Sequence, residues 1–119
     1  MSPERAKVFV AEDADLWQRM IKRILADSGH QVVSSATNLK EALAAIDKFA
    51  ELEVQVAIID GNLDDFEISG RDGQAVLTAI HKVAPQVKTI GLSRDRVCGV
   101  DVDLGKENGI DLGKTVTKI

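Results

Sequence analysis

Aromatic residues and cysteine are scarce in this 119-residue chain, which has one Trp, three Phe, no Tyr and a single cysteine, Cys98. One cysteine and two distant histidines, His30 and His81, exclude an internal disulfide and a tetrahedral zinc site. No charge of one sign dominates: 15 Lys+Arg against 19 Asp+Glu leave a net charge of −4, without a basic block to suit nucleic acid. No apolar run approaches the ~20 residues that span a bilayer. The start, Met1-Ser2-Pro3-Glu4-Arg5, lacks the basic-then-apolar order of a secretory signal. The expectation is a cytoplasmic chain with neither a membrane nor nucleic acid as a direct partner. What the chain has is hydrophobic residues, 45% of the total, in a length that suits one domain over residues 1–119. Folding at this size buries roughly two-thirds of the unfolded surface, so no disulfide or metal staple is needed.

The apolar pattern alternates between two periods. Val8 to Ala11 is a short continuous run, as in a strand buried on both faces, and it ends on Glu12 and Asp13. From Asp15, the residues Leu16, Trp17, Met20, Ile21, Ile24 and Leu25 recur at helical spacing as a core stripe, with Gly29 as the stop. Gln31 to Ala36 predicts a second strand, and Thr37 is placed to cap a helix carrying Leu39, Ala42, Leu43, Ile46 and Phe49 on one stripe. Val54 to Ile59 predicts the third strand, delivering Asp60 at its end, and an acidic, glycine-containing loop follows from Gly61 to Arg71. Asp72 opens a helix with Ala75, Val76, Leu77, Ile80 and Val83 facing inward, and Pro85 stops it. Val87 to Leu92 ends at Ser93, Val100 to Leu104 ends before Lys106, and Ile110 to Ile119 has the spacing of a final helix.

Five strands alternating with helices imply an α/β three-layer sandwich with a parallel sheet and right-handed crossovers. Ligands of such sheets bind outside the carboxyl ends of the strands. The residues at those ends are Glu12, Asp13, Asp60, Ser93 and Lys106. Three clustered carboxylates need a cation, and an all-oxygen set with room for water suits Mg²⁺. With the metal bound, such a site can accept a phosphoryl group on a carboxylate, with Asp60 as nucleophile. Glu12 and Asp13 are placed to hold the metal, and the carbonyl of Asn62 can complete its coordination.

The ordered text Val8-Phe9-Val10-Ala11-Glu12-Asp13, Val56-Ala57-Ile58-Ile59-Asp60-Gly61-Asn62-Leu63, Ile90-Gly91-Leu92-Ser93 and Gly99 to Lys106 resembles the receiver domain of bacterial two-component response regulators. The resemblance covers nearly the whole chain. It implies a flavodoxin-like sheet of order 2-1-3-4-5, Glu12 and Asp13 as the metal-binding acids, and Asp60 as phosphoacceptor. It also implies Asn62 as a carbonyl ligand to Mg²⁺, Ser93 as the switch hydroxyl and Lys106 as the phosphate-contacting lysine. The implied partners are a histidine kinase or phosphotransfer protein upstream and a downstream protein or effector domain. The activity implied is phosphotransfer onto the chain itself, not turnover of a substrate.

The departures from that pattern are specific. Asp64 stands where the family usually has proline, and the loop before Gly73 is about five residues longer. Arg94 follows Ser93 in place of a small residue. Only a short stretch separates Ser93 from Lys106, so the helix that normally joins the fourth and fifth strands is expected to be missing or very short. Asp103 occupies the place of the switch aromatic, three residues before the lysine. Lys114, after Gly109 to Gly113, is a rival for Lys106. Two other functions compete: a receiver-like interaction module that works without phosphorylation, and a haloacid-dehalogenase-like phosphatase, whose Asp-Gly text Asp60-Gly61 resembles. The phosphatase nucleophile belongs two residues before Asp60, where this chain has Ile58.

Overall fold

The structure, a computed structural model, describes residues 6–12, 14–59, 71–92, 100–103 and 115–116. The chain runs β1 (Lys7–Ala11), α1 (Asp15–Asp27), β2 (Gln31–Ala36), α2 (Leu39–Ile46), α3 (Phe49–Leu52), β3 (Val56–Ile59), α4 (Arg71–Val83), β4 (Lys88–Gly91) and β5 (Val102–Asp103). The five strands form one sheet of order β2-β1-β3-β4-β5, with every neighbouring pair parallel. The expected fold class, strand count and order are those observed. Ten residues lie between the end of β4 and the start of β5. Residues 93–99, where the missing helix was expected, lie outside the described residues, as does most of the expected final helix; Thr115 and Val116 are helical.

Strand alternation explains the two core layers. Val8 and Val10 of β1 and Val56 and Ile58 of β3 point to one face, where they pack with Ile21 and Leu25 of α1, Ile90 of β4 and Val116. Their neighbours Phe9, Ala11, Ala57 and Ile59 point to the other face, against Ala42 and Ile46 of α2, Phe49 of α3, and Val76, Leu77 and Ile80 of α4. Phe9 and Phe49 meet with ring centroids 5.0 Å apart and planes tilted by 58°. At this separation a tilted aromatic pair adds about 0.5–1.5 kcal/mol beyond area burial.

Several sequence expectations need correction. On α1, Leu16 is 70% exposed and Met20 is also exposed, while the polar Gln18 is buried on the stripe with Ile21 and Leu25. Apolar identity alone misplaced that stripe by a fraction of a turn. The α2 cap is Asn38, whose Oδ1 accepts the Glu41 N–H at 2.8 Å; Thr37 instead donates its N–H and Oγ1–H to Glu41 Oε1, each at 2.9 Å. This reciprocal arrangement satisfies donors at the helix start. Those two Thr37 bonds, the backbone one foremost, hold the Glu41 carboxyl below its ordinary value. The helix expected through Phe49 is broken by a turn at Asp47 and Lys48, which separates α2 from α3, and Leu43 within α2 is exposed. Val83 is 52% exposed because the last turn of α4 passes the core, and Ala84 and Val87 are buried beyond it. At the opposite end of the sheet, His30 is buried and its Nδ1 accepts the Ala6 N–H at 3.0 Å, which puts the proton of a neutral ring on Nε2.

Candidate functional site at the carboxyl ends of the strands

The strands end level with one another. Ala11 of β1 is in register with Ile59 of β3, Ile59 with Gly91 of β4, and Gly91 with Asp103 of β5. Leu92 extends the β3–β4 ladder by donating its N–H to the Ile59 carbonyl at 2.9 Å. The residues next in sequence are Glu12 after β1, Asp60 after β3, Ser93 after Leu92 and, three residues beyond Asp103, Lys106. Of the expected site residues, Glu12 is described. Asp13, Asp60, Asn62, Ser93, Lys106 and the rival Lys114 lie outside the described residues, as do the loop after Asp60 and Cys98.

Glu12 is fully buried and held at several atoms. Its N–H donates to the Ala36 carbonyl at the end of β2 at 3.0 Å, and its carboxylate Oε2 accepts the Ala14 N–H at 3.1 Å, just before α1. Its carbonyl accepts from Gln18 Nε2 at 3.0 Å, and the same nitrogen donates to the Ala36 carbonyl at 2.8 Å. A carboxylate is an oxygen donor of the kind a hard cation takes. Glu12 therefore fits a Mg²⁺ set in donor type and place. Among the described residues no three His, Cys, Asp or Glu side chains are grouped to hold a metal.

Sequence reasoning missed two features, one at this edge and one farther back along the sheet. The first is Gln18, whose signal was a polar residue three before Ile21 and seven before Leu25 on a buried stripe. The second is a clasp between β4 and β5. Asp101 Oδ2 accepts the Thr89 N–H at 2.8 Å and its Oγ1–H at 3.2 Å, and the Asp101 N–H donates to Thr89 Oγ1 at 3.0 Å. No periodicity announces such a pair, because its partners lie twelve residues apart. A groove of about 350 Å³ lies elsewhere, lined by Lys22, Ala26, His30 and Val32 to Ser35; without a carboxylate in its lining, it does not compete as a metal site. Ile58, at the place of the phosphatase nucleophile, is packed in the core beneath α1. No helix among the described residues is long and apolar enough to cross a membrane.

Comparison with known proteins agrees with this topology. The family model of the response regulator receiver domain matches residues 8–98. The chemotaxis protein CheY of Listeria monocytogenes is 30% identical over 105 residues, covering 88% of this chain and 82% of that protein. CheY of Thermotoga maritima is 30% identical over 84 residues, covering 71% and 63% respectively. Among solved structures, a CheY-like receiver domain protein from Methanospirillum hungatei superposes with a TM-score of 0.76 at 24% identity, over 95% of this chain and 91% of that one. A LuxR-family DNA-binding response regulator from Staphylococcus aureus gives 0.72 at 23% identity, over 95% and 97%. Matched by that model over most of its length, and carrying the five-stranded parallel sheet on which Glu12 is fixed, the chain belongs to the response regulator receiver domain family of two-component signalling.

Proposed function

We propose that this receiver takes a phosphoryl group on Asp60 in a Mg²⁺-dependent reaction and signals through the change in protein contacts that follows. The observation that carries the proposal is the parallel register of β1 and β3, which ends the two strands level at Ala11 and Ile59 and so supports Glu12 and Asp60 sharing one edge. In this reading the donor is the phosphohistidine of a histidine kinase or phosphotransfer protein. An oxygen of the Asp60 carboxylate attacks phosphorus, the phosphorus–nitrogen bond breaks, and the departing imidazole keeps the electron pair and takes up a proton. Glu12, Asp13, the Asp60 carboxylate and the Asn62 carbonyl would hold Mg²⁺, which when bound offsets charge on the phosphoryl oxygens. Ser93 donates its hydroxyl to one of those oxygens, and Lys106 supplies a second positive charge. The pairing of Val102–Asp103 with β4 supports Lys106 over Lys114, because Lys106 lies three residues beyond that strand and Lys114 eleven.

One observation favours a second reading, an interaction module that works without phosphate. The second residue of β5 is Asp103, where the family's output relay places an aromatic ring. The test is intact mass after incubation with Mg²⁺ and a small phosphodonor. A gain of one phosphoryl group by the unmodified chain, absent in Asp60→Asn, is expected. No gain in either protein supports the phosphate-independent module and ends the proposal.

A further inference from the structure

The side chain of Gln18 does more than fill space beneath α1. It is 4% exposed, on the stripe that otherwise carries Ile21 and Leu25 into the core. Both of its amide hydrogens are used, one toward the Glu12 carbonyl and one toward the Ala36 carbonyl, while its Oε1 is buried without a hydrogen-bond partner among the described residues. An apolar side chain here would avoid that unmet acceptor, so the amide is retained at a cost for the two bonds it donates. Those bonds have a particular address. Ala36 is the last residue of β2, and its carbonyl already accepts the Glu12 N–H. The Glu12 carbonyl belongs to the peptide bond that leads into Asp13. With its N–H on Ala36, its carbonyl on Gln18 and its carboxylate on Ala14, Glu12 is fixed from three sides where the β1 ladder stops.

We infer that Gln18 is a positioning residue for the metal-binding acid pair: its amide ties the ends of β1 and β2 together and fixes the peptide that joins Glu12 to Asp13, preorganising the edge for Mg²⁺. This rests on the phosphoacceptor reading of the site. Its basis is the three-way juxtaposition of the Gln18 amide with the Glu12 and Ala36 carbonyls. Preorganisation of this kind changes cation affinity, because carboxylates that must be ordered on binding bind more weakly.

The test is a Mg²⁺ titration by calorimetry on four proteins: the unmodified chain, Gln18→Met, Gln18→Glu and Ile46→Val. Gln18→Met keeps the volume and removes both donors, whereas Gln18→Glu puts an acceptor against two carbonyls. Ile46→Val loosens the core on the other face of the sheet and leaves every hydrogen-bonding group of this edge in place. The expected result is Mg²⁺ affinity about tenfold lower in Gln18→Met, lower again in Gln18→Glu, and unchanged in Ile46→Val. Unchanged affinity in Gln18→Met, or an equal fall in Ile46→Val, overturns the inference while leaving the phosphoacceptor reading in place. Absence of Mg²⁺ binding by the unmodified chain removes that reading and the inference with it. A measurement on the unmodified chain covers the case in which the variants do not fold. The Gln18 side-chain amide protons should exchange slowly and shift as Mg²⁺ is added; signals that stay fixed while Glu12 shifts overturn the inference.

Discussion

The two margins of the sheet are held by different means. At one margin, β2 contributes six residues and five register pairs to β1, with an irregularity between Val8 and Phe9, and both core layers reach it through Val32, Val33 and Ala36. At the other, β5 contributes two residues and two register pairs, and the Thr89–Asp101 clasp adds three hydrogen bonds that involve side chains. A long ladder is fixed by backbone and burial together. A short one depends on individual side chains. In the proposed phosphoacceptor reading this bears on signalling, because Lys106 comes three residues after β5, the strand with the shorter ladder.

The sharpest way to break that distinction is Phe9→Ala. Phe9 is fully buried in the strand between β2 and β3 and faces Phe49, so its truncation is expected to cost about 3–5 kcal/mol and to melt both margins together. Denaturant unfolding followed by fluorescence and by circular dichroism should show one transition shifted to lower denaturant. Separate transitions would show that the two margins fold independently. A smaller effect sharpens the contrast. Thr89→Val removes the hydroxyl from the clasp and is expected to cost about 1–3 kcal/mol, since it deprives the Asp101 N–H of its acceptor in a partly buried setting. Hydrogen exchange should accelerate at Val102 and Asp103 while the β1–β2 amides stay protected. Equal acceleration at both margins would contradict a local role for the clasp.

The smallest effect lies beside β2, at the start of α2. The Thr37 hydrogen bonds hold the Glu41 carboxyl low, so its contribution to stability is present at neutral pH and is lost as the pH falls through the lowered value. Glu41→Gln should therefore reduce the thermal midpoint slightly at neutral pH and have no effect once the carboxyl is protonated in both folded and unfolded chains. A difference that grows toward acid would reverse the sign and reject this account of the cap.

The centre of the fold was legible because β1 and β3 are short, largely apolar runs, each followed by an acidic residue that ends the run. Val8 to Ala11 and Val56 to Ile59 needed only the rule that a doubly covered parallel strand is apolar on both faces. Helix faces were read less well. Leu16 and Met20 looked like core, yet Gln18 took the inward place, because its amide has two carbonyls to meet there and hydrophobicity alone carries no record of them. Of the candidate site, Glu12 follows β1 as the strand pattern predicts, while the other expected site residues lie outside the described residues. The clasp of Thr89 and Asp101 was not legible, because it depends on which backbone groups face each other across two strands.

The central proposal is that Asp60, the residue after β3 in sequence, receives phosphate. The most direct measurement is to treat the chain with Mg²⁺ and a phosphodonor, reduce the product with borohydride, and map the peptides by mass spectrometry. An aspartyl phosphate is converted by this reduction into homoserine, so the account predicts homoserine at position 60 and nowhere else. Homoserine at another aspartate, or none in a chain that binds Mg²⁺, would contradict it.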